Sequence, residues 1–249
     1  MGIFDLFGSA TEREQARLRK LARRVTEKYG PPENRQGAID QLAELGTPAA
    51  LKTLCLRFTV MADPGITDQE EKESVHGHLV DARGGSLAPV TEFIREQESG
   101  IAWGLRSLAA VATPAEVLDI VVAELTRLST IYIRDPEKKL TLLAWVKEHH
   151  DGAEATGLEA ALRAMLEDFS DDVRIGAVRA LAGLPLAEPT RTALVELLVR
   201  DAGNARVRGE VLAALHRLGA DVKGFRPSVE ALLVEPWFLD KDGIVKRHG

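Results

Sequence analysis

Within "EEKESVHGHLVD" (70 to 81), Glu73 and His76 stand three residues apart. On a helix that spacing puts both side chains on one face, and one half of a di-iron carboxylate site is built this way. Such a site also needs a second Glu-x-x-His and two further glutamates, and the chain carries no second copy. In "KEHHD" (147 to 151) Glu148 adjoins His149, and neighbours in sequence do not share a helical face. The pattern fits a solvated polar helix better than a ligand set, so no metal and no cofactor is expected. The single cysteine, Cys55 in "LKTLCLRF", has apolar neighbours inside a helical stretch. A nucleophilic thiolate needs an electropositive, accessible setting, so Cys55 reads as a small buried hydrophobe. There is no Gly-x-Ser-x-Gly, no glycine-rich phosphate loop and no Cys/His set with zinc spacing. No catalytic residue is therefore assigned, and the expectation is a protein that is not an enzyme.

The elements that would position any functional side chain are legible in a recurrence. "DFSDDVRIGAVRALAGLP" (168 to 185) returns as "AGNARVRGEVLAALHRLG" (202 to 219). Val173, Ala177, Ala180, Leu181 and Leu184 match Val207, Val211, Ala214, Leu215 and Leu218, an offset of 34 residues. Both sets run i, i+4, i+7, i+8, i+11, one face of a helix. A period of this size accommodates two helices and two turns, the signature of a helical solenoid. Each first valine is followed by an arginine, Arg174 and Arg208, with Asp168 and Asp201 upstream. Aspartate near a helix start accepts orphan N–H groups. An arginine one turn later can reach that aspartate or its counterpart in the next repeat.

The pattern Asp…Val-Arg…Ala…Ala-Leu…Leu resembles the HEAT repeat, especially its bacterial HEAT-like form. It is strong over 168 to 218 and worn in "NRQGAIDQLAELGTPAAL" (34 to 51) and "GIAWGLRSLAAVATPAEVL" (100 to 118). The chain is also similar to a group of bacterial HEAT-repeat proteins without an assigned activity. That likeness lies in "GIFDLF", "KYGPPENRQGAIDQLAELGTPAAL", "DQEEKE", "RDPEKKLTLL" and "FLDKDGIVKR". The resemblance implies an all-α, right-handed α–α superhelical solenoid whose second helices line a concave side. HEAT-like iron hydroxylases carry repeated His-Glu dipeptides; this chain has none. HEAT-like enzymes that excise alkylated bases need a basic groove with aromatic platforms. Here Glu92, Glu116, Asp119, Glu124, Glu159, Glu167 and Glu196 stand among Lys52, Arg57, Arg95, Arg127, Arg163 and Arg191 on the second helices. That mixture suits a protein partner better than a polyanion.

Net charge of −6 on 249 residues argues against non-specific nucleic-acid binding. The charge is uneven: residues 1 to 29 carry +3, which leaves −9 elsewhere. No apolar run reaches the length of a membrane span and no signal peptide is visible, so the expected location is cytoplasmic.

Proline and glycine punctuate the chain. A basic capping helix is expected in 1–30, HEAT-like repeats in 31–218 and a small C-terminal α/β cap in 219–249. Helix pairs are predicted at 34–45 with 48–60, 68–82 with 86–97, 100–111 with 114–128, 136–149 with 154–167, and 170–183 with 188–200. A last helix follows at 204–218. The tail should hold a short helix, then a hairpin in which Phe238 and Leu239 face Ile244 and Val245 across "DKDG". Apolar "GIFDLF" before a basic helix reads either as cover for the first repeat or as a membrane contact. Leu6 stands where a myristoylation pattern needs Ser or Thr.

Function is then expected to be that of a non-catalytic scaffold holding a protein or peptide on the concave face. Arg95, Arg127, Tyr132, Arg134 and Arg163 are the binding candidates, since arginine and tyrosine grip partners well. The alternatives are a HEAT-like enzyme or base-excision-type nucleic-acid-processing protein, and a peripheral membrane adaptor using the basic helix.

Overall fold

A proline or glycine stands at the start of most described helices, at Pro31, Pro48, Pro64, Gly100, Pro114, Pro136, Gly157 and Pro189, and Gly46 and Gly219 each close one. A computed structural model describes residues 3–150 and 157–248, with side chains from residue 12 onward in those ranges. The start of the helix predicted at 154–167, and the side chains of "GIFDLF", lie outside the described residues. The chain forms two compact units, Met1–Thr113 and Pro114–Gly249.

The first unit contains α1 (Ile3–Val25), α2 (Pro32–Leu45), α3 (Pro48–Cys55), α4 (Gly65–Asp81), α5 (Leu87–Glu96) and α6 (Ile101–Val111). Short 3-10 turns follow α3 at Leu56–Thr59 and α4 at Arg83–Ser86. Helices touch their successor and the helix after that: α1 with α2 and α3, α2 with α3 and α4, α3 with α5, α4 with α6. Stacked helix pairs give this pattern. Local chemistry sets the joints. Gly46 closes α2 in the left-handed region, and the Thr47 hydroxyl accepts the Ala50 N–H at 3.3 Å to start α3, with Pro48 in its first turn. Gly100 has φ +75, and a methyl there would sit 2.7 Å from the Phe58 carbonyl. After α4 the left-handed residue is Arg83 (φ 51), not one of the two glycines that follow. Trp103, half-buried, stacks on Phe58 at 5.6 Å, and Cys55 is fully buried. Burial pushes the Cys55 thiol up to about 12, so it stays a neutral packing group.

The second unit contains α7 (Pro114–Leu128), α8 (Glu137–His149), α9 (Leu158–Met165), α10 (Asp171–Leu181), α11 (Glu188–Arg200), α12 (Ala205–Leu218) and α13 (Arg226–Glu230). The strands β1 (Trp237–Leu239) and β2 (Val245–Arg247) follow. Helix α10 packs on α8 and α12, and α9 on α7 and α11. The matched faces are buried: Val173, Ala177, Ala180 and Leu181 at 1% exposure or less, and Val207, Val211 and Leu215 fully. The hairpin forms one step from the expected register. Leu239 pairs with Val245 instead of Ile244, and Phe238 with Lys246 instead of Val245. The reason lies in the turn, where Asp240 Oδ1 accepts the N–H groups of Asp242 and Ile244, and Gly243 takes φ +79. Ile244 instead bridges to Asp221. Strand β2 lies on α12, and the Val245 carbonyl is 3.1 Å from His216 Nδ1.

Basic side chains near helix starts tie the layers together. In the second unit Lys139 donates to the Ile131 carbonyl at 2.8 Å and to Asp168 at 2.5 Å. Arg174 donates to the Asp168 carbonyl at 2.6 Å, and its Nε lies 2.9 Å from Asp201 Oδ2. Arg208 donates to the Ala202 carbonyl at 2.9 Å. Each cation thus anchors the loop before its own helix, and the first two also reach the acid before the next outer helix. Asp168 and Asp201 serve this bridging and do not cap the helices; Asn204 caps α12 in their place, accepting from Arg206 and Val207. In the first unit the corresponding residue is Arg35, fully buried. It donates to the carbonyls of Glu27 (3.1 Å) and Gly30 (2.8 Å) and to Glu71 (2.8 Å). Arg57 joins Glu71 at 2.7 Å to Asp68 at 2.6 Å, and Lys72 completes the cluster.

Ala180 is fully enclosed. Ala180→Asp would bury an unpaired charge, costing several kcal/mol, on the order of a domain's total stability. The expected outcome is an insoluble or unfolded chain; a soluble variant with unchanged helicity and melting temperature would contradict the repeat alignment.

Candidate functional site

The outer positions of α8, α10 and α12 come together in a groove in the second unit. Its deeper part, about 360 Å³, is lined by Leu140, Leu143, Ala144, Lys147, Ile175 and Arg179, among others. A second hollow of about 190 Å³ continues it past Ala182 to Ala213 and Arg217, sharing Lys147 and Arg179. Small residues keep it open. Gly176 lies over Leu143, where a methyl would meet the leucine side chain at 3.1 Å. The floor is apolar and the rim is charged. Two ion pairs link α10 to α12: Arg179 with Glu210, and Arg206 with Asp172 at 2.6 Å. The Arg179 hydrogen bond holds the Glu210 carboxyl below its ordinary range. Lys147 and Arg217 make no ion pair within 4 Å of a described carboxylate and remain as surplus positive charge on the rim. This surface can seat an apolar segment and hold carboxylates beside it.

The expected binding residues do not gather in one place. Arg95 is exposed in the last turn of α5, in the first unit. The other four lie in the second unit. Arg127 closes both nitrogens on Glu124, at 2.9 and 2.6 Å, and buried Lys138 reaches the same carboxylate at 2.8 Å. Arg163 lies 4.0 Å from Glu159 on its own helix. Arg134 is exposed beside the joint. Tyr132 is 67% exposed and meets Phe169, 79% exposed, edge to face at 5.4 Å. Phe169 was outside the expected set, although it precedes α10 as Tyr132 precedes α8.

The Glu73 and His76 pair does not converge on one point. Glu73 is ion-paired to Arg106 at 2.7 Å, and His76 Nδ1 lies 3.0 Å from the Ser107 hydroxyl. Desolvation, with Arg106 nearby, lowers the His76 pKa. Both side chains tie α4 to α6.

No family model matches this chain, and no curated protein matches it. Among solved structures the chain is similar to a designed armadillo repeat protein in complex with a (KR)4 peptide. The identity is 17% and the TM-score 0.42, over 81% of this chain and 99% of that one.

Two outcomes follow from the Glu124 network. Arg127→Glu places a second carboxylate against a buried one and should cost about 3 kcal/mol in chemical denaturation. Arg134→Glu should shift stability by only about half a kcal/mol. Equal effects would contradict the pairing. The second outcome concerns pH. Burial opposes the Glu124 charge, but the Arg127 and Lys138 hydrogen bonds overcome it and leave the pKa lowered. A carboxyl depressed on folding stabilises above its unfolded value, roughly pH 4.3, and loses that contribution as pH falls through the folded value. Glu124→Gln should therefore flatten the acid limb of the stability curve relative to the natural chain; an identical limb would contradict the assignment.

Proposed function

We propose that the chain is a non-catalytic scaffold, a right-handed solenoid of HEAT-like repeats that binds a segment of another protein. In this reading α1 covers the first repeat and residues 219–249 cover the last. The observation that carries it is the α8–α10–α12 groove, an apolar floor with surplus cations on its rim. Fixed partners of opposite charge would leave no such surplus, and a catalytic centre would bring titratable groups together. Glu73, His76, Asp68, Glu71 and Glu124 instead join helices to one another. The segment that fits is apolar with acidic flanks.

The Tyr132–Phe169 pair favours a second contact surface. Two large aromatic faces held in water beside Arg134 match the residue types that dominate protein interfaces. Arg95 and Arg163 are retained as contacts of the wider scaffold surface.

The test is anisotropy with a fluorescein-labelled peptide of leucines flanked on both sides by glutamates. The natural chain should bind it, and Lys147→Glu with Arg217→Glu should weaken binding by at least about tenfold without loss of helicity. Undiminished binding by the folded double variant would remove the groove from the account. Tighter binding of a single-stranded oligonucleotide than of the peptide would favour the nucleic-acid reading.

A further inference from the structure

One face of α1 is used by the fold. Leu21 and Val25 are buried, Leu18 is half-buried, and α1 packs on α2 and α3. The other face is strongly basic. Residues 13 to 24 hold Arg13, Arg17, Arg19, Lys20, Arg23 and Arg24 against Glu14 alone, a local charge of +5 in a chain of net −6. Glu12 and Glu27 bound the stretch. On the helix Glu14 shares the line of Leu18, Leu21 and Val25, while the six cations lie on the side turned away from it. All six are exposed. None is ion-paired among the described residues, and Arg19 reaches only the Gln15 carbonyl of its own helix, at 3.3 Å. Arg13, Arg17, Lys20 and Arg24 recur at i, i+4, i+7 and i+11, one line about 16 Å long. The negative end of the helix dipole accounts for Arg23 and Arg24 in the last turn. That effect fades within a turn and does not account for the four earlier cations.

We propose that α1 docks on the phosphate backbone of a nucleic-acid duplex without reading its sequence. Each strand of a duplex presents a phosphate about every 3.4 Å along the axis, so a line of this length faces about five of them. Four cations in line and two beside it match that density. The negative charge of the rest of the chain repels a polyanion from most of the remaining surface and directs it to this helix. Other partners need what this face lacks. A protein interface has an apolar or aromatic centre, and an anionic membrane takes an apolar edge as well as charge. The large apolar side chains described on α1 are turned into the fold. A single strand is held by aromatic platforms, and the aromatic that follows α1, Tyr29, already carries Lys28 over its ring at 5.3 Å.

The experiment is anisotropy of the full chain with a fluorescein-labelled DNA duplex two turns long, its RNA counterpart, and a second DNA duplex of unrelated sequence. The natural chain should bind both DNA sequences equally. Six phosphate contacts predict a slope of log K on log salt of about −5. Binding to either DNA or RNA sustains the proposal, and the stronger of the two names the source. Replacing Arg13, Arg17, Lys20 and Arg24 by Gln should make the slope shallower by between about three and four, and weaken binding at low salt on the order of a hundredfold. The four sites are exposed, so helicity and melting should not change. Lys147→Glu with Arg217→Glu should leave duplex binding as it is, which separates this surface from the groove. No duplex binding at about 50 mM salt, a marked preference for one DNA sequence, or an unchanged slope in the folded Gln variant would each overturn the proposal. Tighter binding of a single strand would overturn it as well. So would capture of the chain by phosphatidylglycerol vesicles at a salt concentration that releases the duplex.

Discussion

Burying a cation at a repeat joint is the constraint on which each unit depends. A guanidinium or ammonium withdrawn from water must find acceptors, or the site costs several kcal/mol. Arg35, Lys139 and Arg174 donate to two layers at once, and of their buried nitrogens Arg35 Nη2 finds no acceptor among the described residues. Each takes a carbonyl from the loop before its own helix and a carboxylate from the layer that follows. The spacing between layers is thereby fixed by polar contacts of about 3 Å, while the apolar stripes supply the bulk of the burial. Other cross-layer contacts recur at similar separations in sequence, such as Arg106 with Glu73 and Arg206 with Asp172. A helix stack registered this way cannot slide by a turn without stranding a buried charge.

That registration leaves the outer faces free to differ. On α10 Val173, Ala177, Ala180 and Leu181 are buried in the stack, while Asp172, Ile175, Gly176 and Arg179 line the groove, Ile175 at its buried floor. The groove they share with α8 and α12 owes its depth to small residues and its character to a rim with more cations than acids. The first unit uses its charges differently. Its Arg35–Glu71–Arg57–Asp68–Lys72 cluster is buried and serves cohesion.

The helices were legible in the sequence because apolar periodicity and proline punctuation agree at nearly every joint. The Arg174 bridge was legible as well, since a repeat spacing of 34 residues brings its target, Asp201, into reach. Register in the tail was not, because a single side chain, Asp240, decides where the turn closes. The binding candidates were the least legible part. Charge alone does not reveal that Arg127 is committed to Glu124, since that depends on Lys138 arriving from the next helix. The groove had one visible signal, Ile175, an apolar residue facing away from the repeat's own stripe. Phe169 had another, a large aromatic placed before a helix start at a loop.

Hydrogen–deuterium exchange of the full chain, free and saturated with the leucine–glutamate peptide, tests the scaffold reading most directly. Binding in the groove predicts slowed exchange in residues 140–147, 172–183 and 206–217, with the second helices α9 and α11 unchanged. Protection confined to α9 and α11, or absent from all of these segments while the peptide is bound, would contradict it.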